Sequence, residues 1–138
     1  MKTVRPVNSY QITLPDDVAE QRDERVTSFW RSGSHSALQL SSYIRDSGPQ
    51  VGAEQRLKER LEKSDTNLTL VQNFKASWCP DAAAAALTDD KGWTWTHIYL
   101  VWPDLAVYAT VSRPPYEDRP AENWAIEAVK GIRRTSSN

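Results

Sequence analysis

The chain has 138 residues, enough for one domain that buries roughly two thirds of its unfolded surface and too few for a comfortable second domain. Its 17 basic and 18 acidic residues are interspersed and sum to a formal net charge of −1, which disfavours nucleic-acid binding through a general basic field. The single cysteine, Cys79, excludes an intrachain disulfide and a cysteine-rich metal site, and no run approaches the ~18 apolar residues of a membrane span. With no signal-like apolar run at its start, the chain is expected to be cytoplasmic.

Residues 1–8 and the Ser-rich end at 135–138 carry no pattern and are expected to be loose. Tyr10-Gln-Ile-Thr-Leu14 alternates and stops at Pro15, as a short strand would. Asp16, Asp17, Glu20, Asp23 and Glu24 then make an acidic stretch, expected to be a solvated loop. Residues 26–31 and 37–44 are β-like and flank Ser32-Gly33-Ser34-His35, so they predict a hairpin. Between 51 and 64, Ala53, Leu57 and Leu61 recur at helical spacing among charged residues and predict an amphipathic helix. Leu68, Leu70 and Phe74 share one parity, which suits a strand to about Ser77, and Pro80 must end it.

The alanines at 82–86 are in conflict. Propensity and the preceding Pro80-Asp81 favour a helix, but Asp89-Asp-Lys-Gly92 cuts the run short. A strand paired back on residues 93–101 is the expectation. Residues 93–112 then read as a long hairpin turning at Pro103-Asp104. Pairing Trp102 with Leu105 puts Ile98, Leu100, Trp102, Leu105, Val107, Ala109 and Val111 on one face and Trp95, His97, Tyr99 and Tyr108 on the other. From Pro120, the stripe Ala121, Trp124, Ala125, Ala128, Val129 and Ile132 predicts a second helix, with Arg133 and Arg134 at its negative pole. The expected architecture is a single α+β domain: a largely antiparallel sheet of about six or seven strands with two main helices packed on it, an α/β/α sandwich.

This layout resembles the small sandwich family typified by the PsbP-type photosystem subunits and a Ran-binding nuclear import factor. The resemblance is carried by Tyr10-x-Ile12-x-Leu14-Pro15, the strand Ala37-Leu38-Gln39-Leu40-Ser41-Ser42, the hairpin Trp102-Pro103-Asp104-Leu105-Ala106-Val107-Tyr108-Ala109-Thr110 and the closing helix with Trp124. It implies a scaffold used for accessory, binding or immunity-type roles and assigns no site residue.

No nucleophile elbow, glycine-rich phosphate loop or His-Glu-x-x-His is present, so no catalytic residue, cofactor or metal ligand is assigned. His97 among aromatic neighbours reads either as a base or ligand or as a histidine satisfied within a mixed face. Cys79 reads as a small buried hydrophobe rather than a reactive thiol. The rigid loop Arg113-Pro-Pro-Tyr-Glu-Asp-Arg-Pro120 offers Arg113, Tyr116 and Arg119, residue types that binding hot spots favour, or is a plain connector. The face bearing Trp95, His97, Tyr99 and Tyr108 is core if a helix covers it and a binding surface if none does.

The leading expectation is a non-enzymatic protein that binds another protein, in an accessory, assembly or immunity-type role, with neither nucleic acid nor membrane as partner. The alternative is a small-ligand carrier walled by Trp95, Tyr99 and Tyr108 with His97 as its polar handle. An enzyme would need His97 to meet an acid from residues 16–24 in a cleft.

Overall fold

Alternating apolar residues set the strands, and their pairing was established in a computed structural model that describes residues 1–44, 49–61 and 68–135. In chain order these elements are β1 (Lys2–Val7), β2 (Tyr10–Leu14), β3 (Val18–Arg22), β4 (Thr27–Arg31) and β5 (Ala37–Ile44), then helix α1 (Ala53–Leu61). There follow β6 (Leu68–Leu70), β7 (Asp81–Thr88), β8 (Thr94–Trp102), β9 (Leu105–Arg113), helix α2 (Pro120–Lys130) and the two-residue β10 (Arg133–Arg134). Seven strands form one antiparallel sheet in the order β3-β4-β5-β9-β8-β7-β6, and a small sheet has the order β1-β2-β10. The fold is α+β, as expected.

The β8–β9 hairpin has the anticipated register, Trp102 opposite Leu105 and Ile98 opposite Ala109. Its aliphatic face continues through Leu38 and Leu40 of β5 and Phe29 of β4. Two layers seal that face: Ala125, Ala128 and Val129 of α2 with Ile132 behind them, and Tyr10, Ile12 and Leu14 of the small sheet. The opposite face holds a smaller core in which Ala53, Leu57 and Leu61 of α1 pack on Ala85, Tyr99, Val101 and Ala106. Each fully buried Leu or Ile in these clusters contributes about 1.5–3 kcal/mol of burial free energy.

The alanine run is a strand because it is buried from both sides. Ala84 enters the large core and Ala85 the small one, each with under a fiftieth of its surface exposed. A strand covered on both faces loses its polar alternation. Small side chains there let α1 lie close to the sheet.

Several expectations need correcting. Residues 1–8 are not loose: β1 pairs with β2, Val4 opposite Ile12, and Lys2 donates a hydrogen bond from its ammonium to the Val18 carbonyl. The acidic stretch contains β3, anchored by buried Val18 and otherwise charged and exposed. The strand expected to run to Ser77 stops after Leu70, because Asn73 takes a left-handed conformation (φ 57°) that turns the chain off the sheet. The segment then crosses to α2, where Ser77 N–H donates to the Lys130 carbonyl at 2.9 Å. Arg133 and Arg134 do not simply cap α2; they form β10, and Arg134 Nη2 lies 3.1 Å from Asp104 Oδ2 in the hairpin turn. Residues 62–64 of the expected first helix, and 136–138 of the expected loose end, lie outside the described residues.

Two-sided burial of the alanine strand predicts that Ala85→Leu lowers the unfolding free energy by about 1–3 kcal/mol through overpacking. Ala19→Leu, on the exposed edge strand β3, stays within about 0.5 kcal/mol of the parent. Urea titration of the two variants checks both figures.

Candidate functional site

Cross-strand pairing arranges the aromatic side of the sheet in rows. Trp95 faces Ser112, His97 faces Thr110, and Tyr99 faces Tyr108. From β5, Gln39 falls opposite Thr110 and Ser41 opposite Tyr108. Helix α1 lies mainly over β7 and β8 and reaches Ala106 and Tyr108 of β9, so among the described residues the rows are covered at one end and open toward β5 and β4.

Tyr99 belongs to the covered end: it is 4% exposed and its ring centroid is 4.8 Å from that of Tyr108. Arg60, in the last turn of α1, closes over this pair. Its Nε donates to the Tyr99 hydroxyl at 2.7 Å, and its guanidinium sits 3.9 Å from the Tyr108 ring centroid. The delocalised cation is held against the electron-rich ring face while part of it stays in solvent. The Tyr43 hydroxyl, at the rim, lies 3.5 Å from Arg60 Nη2.

On the other side of Tyr108, its hydroxyl meets His97 Nδ1 at 2.5 Å. Burial pushes the Tyr108 phenol up to about 12, against the opposing pull of Arg60. Burial, helped by the nearby Arg60 charge, holds His97 below the ordinary histidine value. At neutral pH the pair is therefore a protonated phenol donating to a neutral imidazole. The imidazole Nδ1 is thereby occupied by the Tyr108 hydroxyl. Trp95 is tied down separately, its indole N–H donating to Asp89 Oδ2 at 3.0 Å.

Beyond Tyr108 and Arg60 the surface falls into a groove of about 600 Å³. Ser41, Ser42 and Tyr43 of β5 form one wall and residues 24–26 the other, with Val7 of the small sheet beneath. Val7, Tyr43 and the adjoining Ile44 are 41%, 47% and 66% exposed.

The second expected set lies elsewhere. Thr94 pairs with Arg113, five residues along β9 from Tyr108 or roughly 17 Å. Arg113 is not a surface group: it donates to the Glu117 carbonyl at 2.7 Å and to Thr94 Oγ1 at 3.3 Å, and its Nε is 3.4 Å from the buried Glu122 carboxylate. Tyr116 is exposed and its hydroxyl bonds His35 Nδ1 at 2.9 Å, while Arg119 is exposed at the start of α2. The loop is latched by Glu117, which accepts from Ser34 Oγ, His35 N–H and Ser36 Oγ at 2.6–2.8 Å. Burial alone would raise the Glu117 carboxyl, but these donors outweigh it and hold the group below the usual glutamate range. The arrangement makes Arg113 structural, ties exposed Tyr116 to His35 and leaves Arg119 exposed.

Arg60, Tyr43, Glu117 and Glu122 are the site and support residues that sequence reading missed. Arg60 stands three positions after Leu57, a spacing that predicts a solvated flank as readily as a lid over Tyr99.

No protein-family model matches the chain, and no curated protein matches it. Among solved structures, a protein from Bacteroides thetaiotaomicron VPI-5482 superposes with a TM-score of 0.64 at 15% identity, over 93% of this chain and 46% of that one. The chain thus spans about half the length of that protein, and the likeness is one of fold. Among the described residues no helix is long and apolar enough to cross a membrane.

The depressed His97 gives a pH signature. The unfolded chain takes up a proton near pH 6.5 that the native state refuses. Stability is therefore full above that pH and falls as pH drops toward the lower native value, by at most about 1.4 kcal/mol per pH unit. Denaturant titrations between about pH 7.5 and 5.5 should show this slope, and His97→Asn should flatten it.

Proposed function

We propose that this is a non-enzymatic protein that binds another protein, in an accessory, assembly or immunity-type role, through the groove beside Tyr43, Tyr108 and Arg60. The observation that carries the reading is the gathering of exposed Val7, Tyr43 and Ile44 around a groove backed by an ordered Arg–Tyr cluster. Tyr and Arg anchors dominate protein interfaces, and anchors already fixed by packing lose little side-chain freedom on binding. A cytoplasmic address and a PsbP-like scaffold remain part of the proposal.

The other readings have less support. A carrier needs a hollow between Trp95, Tyr99 and Tyr108, but the Tyr99 and Tyr108 rings are in contact there and α1 packs over Tyr99. An enzyme needs an acid from residues 16–24 beside His97. Strand β3, which carries Glu20, is four strands from β8, roughly 19 Å in the plane of the sheet, and Glu24, in the turn after it, lines the groove with Tyr108 and Arg60 but not with His97.

Affinity capture from native lysate at physiological salt tests the reading, using the parent chain, Tyr43→Lys and Tyr116→Ala. The parent and Tyr116→Ala are expected to retain one stoichiometric partner, and Tyr43→Lys to bind it about 30-fold more weakly, as loss of a 2 kcal/mol hot spot would. Absence of any stoichiometric partner counts against protein binding. A partner lost with Tyr116→Ala but kept by Tyr43→Lys moves the site to the 114–119 loop.

A further inference from the structure

We infer that the groove takes an extended segment of the partner protein by strand addition along residues 41–44, with an acidic side chain of that segment on Arg60. The inference rests on the protein-binding reading and specifies its mode.

Strand β5 is paired along its whole length with β9, from Ala37 opposite Ser112 to Ile44 opposite Leu105. On its other side β4 stops early, with Thr27 opposite Leu40. Among the described residues no strand continues β4 beside Ser41, Ser42, Tyr43 and Ile44. Alternate residues of an antiparallel strand point their backbone N–H and C=O groups to each side, so about half of the polar groups in this stretch face the groove.

Edges of this kind are ordinarily blunted by charge. The outermost strand β3 follows that rule, with Glu20 and Arg22 on an exposed edge. Residues 41–44 do not: Ser-Ser-Tyr-Ile combines backbone hydrogen-bonding capacity with exposed apolar surface and carries no charge. The contrast with β3 lies within one sheet; the other outer strand, β6, is also uncharged but only three residues long, and among the described residues it has no cationic groove beside it like that of Arg25 and Arg60.

The two sides of the groove differ in chemistry. A strand lying in the plane of the sheet turns alternate side chains to opposite faces. One set would meet Val7, on the small-sheet side, and suits apolar residues. The other set would meet Tyr43, Tyr108 and Arg60. The lining holds two guanidiniums, Arg25 and Arg60, against one carboxylate, Glu24, and neither arginine has an ion-pair partner among the described residues. Arg60 is already oriented by Tyr99 and Tyr108, so an incoming carboxylate meets a preset fork. The segment is therefore extended, with an Asp or Glu flanked by apolar residues. A second copy of this chain offers Ser-Ser-Tyr-Ile with no acid, which fits the arginines poorly.

The test titrates the isotopically labelled full chain with degenerate capped octapeptide libraries that alternate apolar positions with either Glu or Lys, following backbone amides by NMR and hydrogen exchange. The Glu library is expected to shift the amides of residues 41–44 and slow their exchange, with Arg60→Gln weakening it about tenfold, a change of 1.4 kcal/mol. The Lys library and a backbone N-methylated Glu library should do neither. Equal binding by the N-methylated library, or shifts confined to other residues, overturns strand addition, while a Tyr43→Lys-sensitive partner in the capture experiment would still uphold protein binding. Concentration-dependent protection of 41–44 without peptide makes the occupant a second copy and overturns the acidic-segment assignment.

Discussion

The pairing of Trp102 with Leu105 across the Pro103-Asp104 turn decides which side of the sheet every residue of β8 and β9 occupies. A strand has a period of two, so a one-residue slip would send Ile98, Leu100 and Val107 to the side now held by Tyr99 and Tyr108. The two cores of the domain and the partition of its aromatic residues follow from that register. Neighbouring strands inherit it: β5 sets Leu38 against Val111 and Leu40 against Ala109, and β7 sets Ala84 against Ile98.

The faces so defined are closed to different degrees. α2 and the small sheet together seal the aliphatic side. Among the described residues the aromatic side is covered by α1, nine residues long and resting mainly on β7 and β8. Covering half a face turns an aromatic stripe into two things: Tyr99 becomes core, while Tyr108 becomes the boundary between core and groove. Arg60 sits on that boundary because a guanidinium can stack on a ring and remain hydrated, which neither an aliphatic side chain nor a compact ammonium does as well. The apolar surface beyond it, at Val7, Tyr43 and Ile44, is what the proposed partner would bury.

Much of the large sheet was legible because period-two patterning and turn chemistry agree. Residues 93–112 alternate on both arms and turn at Pro-Asp, and Ala37–Ile44 follows a Ser-Gly turn in which Gly33 takes a positive φ of 82°. β1 and β3 were illegible because each has one buried apolar anchor, Val4 and Val18, and owes its strand geometry to the neighbour it pairs with. Of the candidate site, Tyr99 and Tyr108 were placed on their face, but their fates diverge through Arg60, 39 positions before Tyr99. Arg113 looked like a surface anchor since its acid, Glu122, is nine residues on, in a helix whose pattern gives no reason to bury a carboxylate. Short-range periodicity reports which way a side chain points; it does not report what arrives from elsewhere in the chain to cover it.

The sharpest check of a sheet sealed on one side and open beside β5 is residue-resolved amide hydrogen exchange of the free chain. Residues 37–40 lie between β4 and β9 and should be protected as a block, whereas the groove-facing amides among residues 41–44 should exchange at least about a hundredfold faster, since only paired core amides approach global protection. Uniform slow exchange from 37 to 44 would contradict the account, because it would mean that the edge on which the groove depends is already paired.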